Sequence, residues 1–326
     1  MLRVLLRVLL AVLAVTVGIP VFVVRLGGFP GVPRSQPSPA PDWEVRVWLD
    51  REARLVRLPL KEYVKGVVAA EMPAAFHPEA LKAQAVAART YAVRRMRSLG
   101  GAGCPAHPEA DVCTDPAQGQ AYATPEELRQ RWGPLGYLYY WPRIQEAVEA
   151  TRGLILTYAG QPIDAVYHST SGGRTEDAVA VWGRWVPYLV SVPSPYEERS
   201  PRLEQTVELS LDELAARLGL DPARVRAAAR AGRLVEGVEA SLSGRVLRLR
   251  VAGAEMTGAE VRQKLGLNST LFRWEVRGDK VTFRVRGFGH GVGLSQYGAN
   301  GLARRGADFR AILQHYYPGA ELRRLP

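Results

Sequence analysis

Residues 60–71 read LKEYVKGVVAAE, with Met72-Pro73 directly after. Leu60, Tyr63, Val64, Val67 and Val68 recur at the 3, 4, 7, 8 spacing of one helical face. Glu71 continues that series, whereas Lys61, Glu62 and Lys65 fall elsewhere on the helix. Pro59 suits the start of such a helix and Met72-Pro73 its end. A carboxyl on the margin of an apolar stripe is poorly solvated when charged, so its pKa should rise. The electron-rich end of the helix pushes the same way. A carboxyl kept protonated near neutral pH is what a general acid needs. The plain alternative is a buried glutamate paired with an arginine such as Arg89, serving structure alone.

Outward from that helix the pattern is mixed. Before it, Val45–Leu49 and Arg54–Leu58 alternate apolar and polar residues around a turn at 50–53, which predicts a strand hairpin. After it, an Ala-rich helix is expected from about Pro78 to Arg97. A Gly- and Pro-rich loop, 100–116, holds both cysteines. Short helices are expected over 125–130 and 144–151, and a hairpin from 154–158 and 163–167 around Ala159–Pro162. Prolines and charges break the pattern over 193–205. Helices follow over 211–218, 222–230 and 258–265, with a strand over 246–251. A hairpin over 273–276 and 280–286 and a last helix near 308–316 complete the chain. Strands and helices do not alternate strictly, so the expected class is α+β, with helices and antiparallel hairpins. The expected domain is 43–326, with a sub-lobe over 200–275.

The 326 residues are 47% hydrophobic and 23% charged, ordinary for a folded protein and wrong for a disordered or multi-span membrane chain. Net charge is +11, carried almost wholly by scattered arginines. That suits a diffuse positive surface or attraction to a polyanionic layer such as a cell envelope. Arg3 and Arg7 lead into an uncharged apolar run, Val8–Val24, closed by Arg25. Residues 1–26 therefore read as a signal-anchor or a cleaved signal peptide, with the remainder exported. Localisation is expected to be extracytoplasmic, anchored to the cytoplasmic membrane or secreted to the envelope. Export leaves no role for nucleic acid. Residues 27–42 carry five prolines and read as an extended linker.

Three further stretches hold polar chemistry. Asp164–Arg174 reads DAVYHSTSGGR: a strand running into a tight turn with His168, Ser169, Thr170 and Ser171. Such a turn can grip a polyhydroxylated ligand. A Ser–His–Asp hydrolase is disfavoured, because His168 and Ser171 lie too close in sequence and no Gly-x-Ser-x-Gly elbow is present. Gly287–Gly301 reads GFGHGVGLSQYGANG, whose glycines allow close backbone approach around His290. No Gly-Lys-Ser/Thr follows, so a phosphate cradle is rejected. Cys104, His107 and Cys113 lie within ten residues. A disulfide, a metal site and free thiols all stay open on these residues.

The 60–73 segment, together with Ala80–Ala92 (ALKAQAVAARTYA), Tyr167–Gly173 and Gly287–Ala299, resembles the stage II sporulation protein D family. The likeness runs from about Trp43 to Leu322. It implies two lobes around a substrate cleft and a lytic transglycosylase acting on peptidoglycan glycan strands, with Glu71 as catalytic acid. It further implies His168, Ser169, Ser171 and His290 as substrate-binding residues. Gln296, Tyr297, Lys82, Gln84 and Arg89 are further candidates from the same segments. If the chain were a hydrolase instead, Asp164, Glu176 and Asp177 are the nearby second acids. Some relatives are described as enhancers of cell-wall amidases, which makes a non-catalytic glycan binder with an amidase partner the alternative. Some members also hold zinc through a His, a Cys six residues on and an adjacent His–Cys pair. His107 and Cys113 match the first two, but Gln118 and Gly119 replace the pair, so no metal or other cofactor is assigned.

Overall fold

The computed structural model describes residues 43–325. The expected anchor or signal segment and the linker before residue 43 lie outside the described residues. Residues 42–326 form a compact unit with its own hydrophobic cores, which is what independent folding requires. Among the described residues no helix is long and apolar enough to cross a membrane.

The class is α+β, with several small, mostly antiparallel sheets among the helices. The opening hairpin pairs Glu44–Leu49 with Arg54–Pro59. Its inward positions Val45, Val47 and Leu49 are buried and feed the core. The Leu60–Glu71 helix has the expected bounds and buries Leu60, Tyr63, Val64, Val67 and Val68. Lys65 is buried as well, its ammonium donating to Glu62 at 2.7 Å, so the enclosed arc is wider than the stripe alone. Beside it runs Pro78–Arg95, started by Pro78 after a His77 cap and buried along most of its length. Its alanines leave little side-chain bulk, so neighbours pack closely around it.

Three departures from the expected elements have physical causes. The two short helices of 125–151 are one run, Pro125–Ala150, interrupted at Gly133 (φ 66°). Gly133-Pro134 breaks the first piece, and Pro134 then opens the next at a position where a missing N–H costs nothing. The expected 163–167 strand is reduced to two short pieces, Gln161–Pro162 and Tyr167–His168. Between them Asp164 turns to meet Arg95, with Nη1 to Oδ1 at 3.2 Å. The glycine-rich stretch contains an unexpected helix, Gln296–Arg304. Ser295 caps it by accepting from the Gly298 N–H. Gln296, Ala299, Asn300 and Ala303 are buried in it, so packing outweighs the poor helical propensity of its glycines.

The main hydrophobic cluster gathers side chains from Val45 to Leu189 and again from Val292 to Leu325. A second cluster draws only on Leu209 to Val285. Its scaffold is a sheet of Phe272–Arg277, Lys280–Arg286 and Glu204–Ser210, and another of Val235–Ala240, Val246–Val251 and Ala254–Thr257. Leu211–Leu218, Pro222–Arg230 and Gly258–Leu265 accompany them, as expected. The chain leaves for this second cluster at Leu203 and returns at Gly287, whose N–H donates to the Leu203 carbonyl at 2.8 Å.

Candidate active site

A two-residue parallel ladder joins the two polar stretches: Leu294 pairs with Tyr167 and Ser295 with His168. Single bridges, Thr170 to Phe288 and Glu176 to Val292, extend the seam. Gly293 permits the approach. Its φ is +72°, and a Cβ there would lie 2.2 Å from the Val166 carbonyl. The segment from 287 to 297 is thereby laid along the 166–176 turn, and the Tyr297 N–H reaches the Ser169 carbonyl at 3.0 Å.

Glu71, the last residue of its helix, faces this seam. Its Oε1 accepts the Ala121 N–H at 2.7 Å, and Gln296 Nε2 stands 3.5 Å from Oε2. Burial pushes the carboxyl above its ordinary value, and the two hydrogen bonds only partly oppose that shift. Two grooves meet at Glu71. The larger, about 840 Å³, runs past Tyr91, Asp164, His168, Trp182 and His290. The smaller, about 360 Å³, runs past Met72, Trp132, Arg202 and Tyr297. Glu71, Ser169, Phe288 and Gln296 line both.

Both histidines of the larger groove are kept neutral. His168 is buried, its Nδ1 donating to the Val292 carbonyl at 3.1 Å. Burial, reinforced by His290 and Arg245, holds it well below the ordinary imidazole range. His290 is pushed down to about 4, again chiefly by burial. Its Nε2 donates to the Tyr167 carbonyl at 3.0 Å while its Nδ1 accepts the Val292 N–H at 3.1 Å. These neutral rings offer hydrogen bonds and stacking faces, not charge.

Other residues expected at the site lie elsewhere. Ser171 is fully buried and donates to Glu197 at 2.9 Å. Arg89 caps the end of the Pro125–Ala150 helix, donating to the Thr151 and Val148 carbonyls at 2.9 and 3.2 Å, and does not pair with Glu71. Lys82 is paired with Glu79 at 2.7 Å. Gln84 is wholly buried in its helix. None of these four lines either groove. Among the possible second acids, Asp164 lines the larger groove but is held by Arg95. Glu176 is fully buried and accepts from Ser241, from Ser243 at 2.7 Å and from the Asp177 N–H at 2.9 Å. Asp177 accepts the Ser191 N–H at 2.8 Å.

Glu197 escaped sequence reasoning, since 193–205 reads only as a broken stretch. It is 3% exposed. Its carboxylate accepts the N–H groups of Ser171, Gly172 and Gly173 and the hydroxyls of Ser171, Ser194 and Ser295, all within 3.1 Å. It thus ties the 171–173 turn to the start of the Gln296–Arg304 helix.

Cys104 and Cys113 form a disulfide, with Cα atoms 6.1 Å apart. His107 stacks on the Trp48 indole, ring centroids 4.0 Å apart. With both sulfurs bonded to each other, and Gln118 and Gly119 supplying no imidazole or thiolate, these residues do not fit a tetrahedral zinc site. The disulfide instead staples the loop leading to Ala121. Gly119 passes so close that a Cβ would lie 2.0 Å from the Cys113 carbonyl. Reduction should lower stability by about 3 kcal/mol, the loop-closure value for a short ring. The check is a melting curve with and without a thiol reductant, with an expected drop of roughly 5–10 °C.

A family model described as stage II sporulation protein matches residues 50–158. A stage II sporulation protein D of Bacillus subtilis (strain 168) is 42% identical over 265 residues, covering 81% of this chain and 74% of that protein. The chain belongs to the stage II sporulation protein D family. A stage II sporulation protein D of Bacillus amyloliquefaciens is 40% identical over 266 residues, covering 81% of this chain and 74% of that relative. A protein named amidase enhancer, also of Bacillus subtilis (strain 168), is 29% identical over 310 residues, covering 79% of this chain and 40% of its own length. The family's matching span includes Glu71 and the Ala121 amide that holds it, so the family and the groove meet at one carboxyl group.

Proposed function

We propose that the chain is a lytic transglycosylase that cuts peptidoglycan glycan strands. The observation that carries the reading is Glu71: a carboxyl raised by burial, where two grooves join, without a basic partner among the described residues. Protonated Glu71 gives its proton to the oxygen linking N-acetylmuramic acid to N-acetylglucosamine, and the bond from that oxygen to the anomeric carbon breaks. The carboxylate so formed takes the proton of the muramoyl 6-hydroxyl, whose oxygen bonds to the anomeric carbon. The product is a 1,6-anhydro end, and no water is consumed. One carboxyl serves twice, in contrast to the two-carboxylate hydrolases. Asp164 is engaged by Arg95, which supports the one-carboxyl scheme. His168, Ser169, His290, Gln296 and Tyr297 border the grooves as sugar contacts, and the two hydrophobic clusters serve as lobes about them. Residues 1–26 carry the domain across the cytoplasmic membrane, as anchor or signal.

Mass spectrometry of digested glycan tests the chemistry. Anhydro ends are expected; reducing ends would replace the scheme with hydrolysis. The relative named amidase enhancer favours a second reading, in which the chain binds glycan and stimulates an amidase without cutting. Incubating the pure protein with glycan strands, with and without an amidase, separates the two.

The pH profile follows from the groove's titrating groups. Activity needs Glu71 protonated, so it should fall as pH rises through that group's raised value. Replacing Gln296 by Met removes a donor to the charged form and should shift this alkaline limb upward. On the acid side His290 stays neutral in the fold down to about 4, against 6.5 for an ordinary imidazole. The unfolded chain therefore takes up the proton first. This contribution to stability is complete above 6.5 and is lost as pH falls toward 4. Initial rates and melting temperatures across pH 4–9 check both limbs.

A further inference from the structure

The proposed chemistry leaves one face of the Pro125–Ala150 helix unused. Beyond Gly133 the helix runs PLGYLYYWP over residues 134–142. Its inner side, Tyr137, Tyr140 and Trp141, packs on the main core. Its outer side shows Leu135, Leu138 and Tyr139, which share one face at the i, i+3, i+4 spacing and are 83%, 71% and 63% exposed. Pro142, one turn on, is exposed on the same line. A helix apolar all round is ordinarily enclosed by protein or by lipid. No described residue encloses this outer stripe.

The surroundings indicate the occupant. Residues 128–145 contain Arg129, Arg131 and Arg143 and no Asp or Glu. Arg129, which also pairs with Glu126, lies 4.8 Å over the Tyr137 ring. Arg143 is fixed by the Ala74 and Phe76 carbonyls at 3.0 and 2.9 Å and lies 5.9 Å from the Tyr139 ring. Protruding leucines, tyrosines at their base and a frame of guanidinium groups match the layered chemistry of a lipid interface: acyl chain, headgroup boundary, phosphate. The charge complements anionic phosphates.

We infer that this face rests on the surface of an anionic phospholipid bilayer. The contact is separate from the N-terminal apolar segment and does not depend on the transglycosylase reading. Where that segment serves as an anchor, it holds the face near the bilayer and raises its effective concentration there. Arg131 and Trp132, at the base of the same feature, line the smaller groove, so docking would hold that groove beside the membrane surface.

The test uses residues 42–326, which carry their own cores, so that the N-terminal segment adds no binding. The unit is sedimented with vesicles of phosphatidylcholine containing phosphatidylglycerol, and with phosphatidylcholine alone. Binding to the anionic vesicles is expected, weaker binding to the neutral ones, and loss in high salt. The triple variant Leu135→Ser, Leu138→Ser, Tyr139→Ser should bind about 30-fold less or weaker still, with its circular dichroism and melting temperature unchanged. The inference is overturned if the wild-type unit stays in the supernatant with both vesicles, or if the triple variant binds as well as wild type. It is also overturned if ultracentrifugation shows a dimer that only the triple variant abolishes, since a second copy would then own the face.

Discussion

Glu71→Gln is expected to remove glycan cleavage by about 10³-fold or more, the range that general acid–base groups supply. The amide has nearly the shape of the acid but no proton to give and no basic oxygen to take one back. Its carbonyl oxygen can still accept the Ala121 N–H that now holds Oε1 at 2.7 Å. Fold and glycan binding should therefore persist, which a melting curve and a pull-down on insoluble glycan would show. The side chain is partly desolvated as it stands, so a neutral amide should leave stability unchanged or slightly raised. Turnover at the wild-type rate would take the acid role away from this residue.

Glu197→Ala should be the most destabilising single change near the site, by about 4–5 kcal/mol. Two backbone N–H groups, of Ser171 and Gly172, would lose their acceptor inside the protein, and that of Gly173 would keep only Ser171 Oγ at 3.1 Å. Hydroxyls can rotate toward other partners; backbone amides cannot, and each orphan costs about 1–3 kcal/mol. Arg245, 1% exposed, would lose one of the two carboxylates that offset its charge. Glu197→Gln should cost less, because one acceptor oxygen survives, yet its NH2 would confront donors. Thermal melts of both variants check the order. Because Glu197 does not line either groove, activity per folded molecule should outlast stability; a folded but inactive Glu197→Gln protein would contradict that.

Much of this was legible along the chain, and the reasons differ by element. The Leu60–Glu71 helix announced both ends and its buried face, because a proline precedes it and Met72-Pro73 follows. The hairpins over 44–59 and 272–286 were equally plain, since alternation and turn residues are local signals. The Gln296–Arg304 helix was hidden, as glycine-rich sequence argues against helix until a Ser295 cap and a crowded interior supply what propensity does not. Glu197 was hidden for a related reason: its donors come from three stretches far apart in sequence, and no spacing rule connects them. Ser171 illustrates the converse. A hydroxyl in a conspicuous polar turn suggests a ligand contact, yet the fold spends it on a buried carboxylate. Chemistry that depends on one helix can be read from its period; chemistry assembled by long-range pairing needs the coordinates.

The bond between Gly287 and Leu203 has an architectural consequence. A segment whose two ends lie within hydrogen-bonding reach behaves as a cassette plugged into its host: it can lengthen, shrink or be exchanged for another without moving either socket. Arg245, Ser241 and Ser243 are among the prongs by which this cassette reaches back, to the carbonyls of Ser171 and Arg174 and to Glu176. Any replacement that kept those prongs would leave the seam at Glu71 standing while changing Arg262, the residue this cassette contributes to the larger groove.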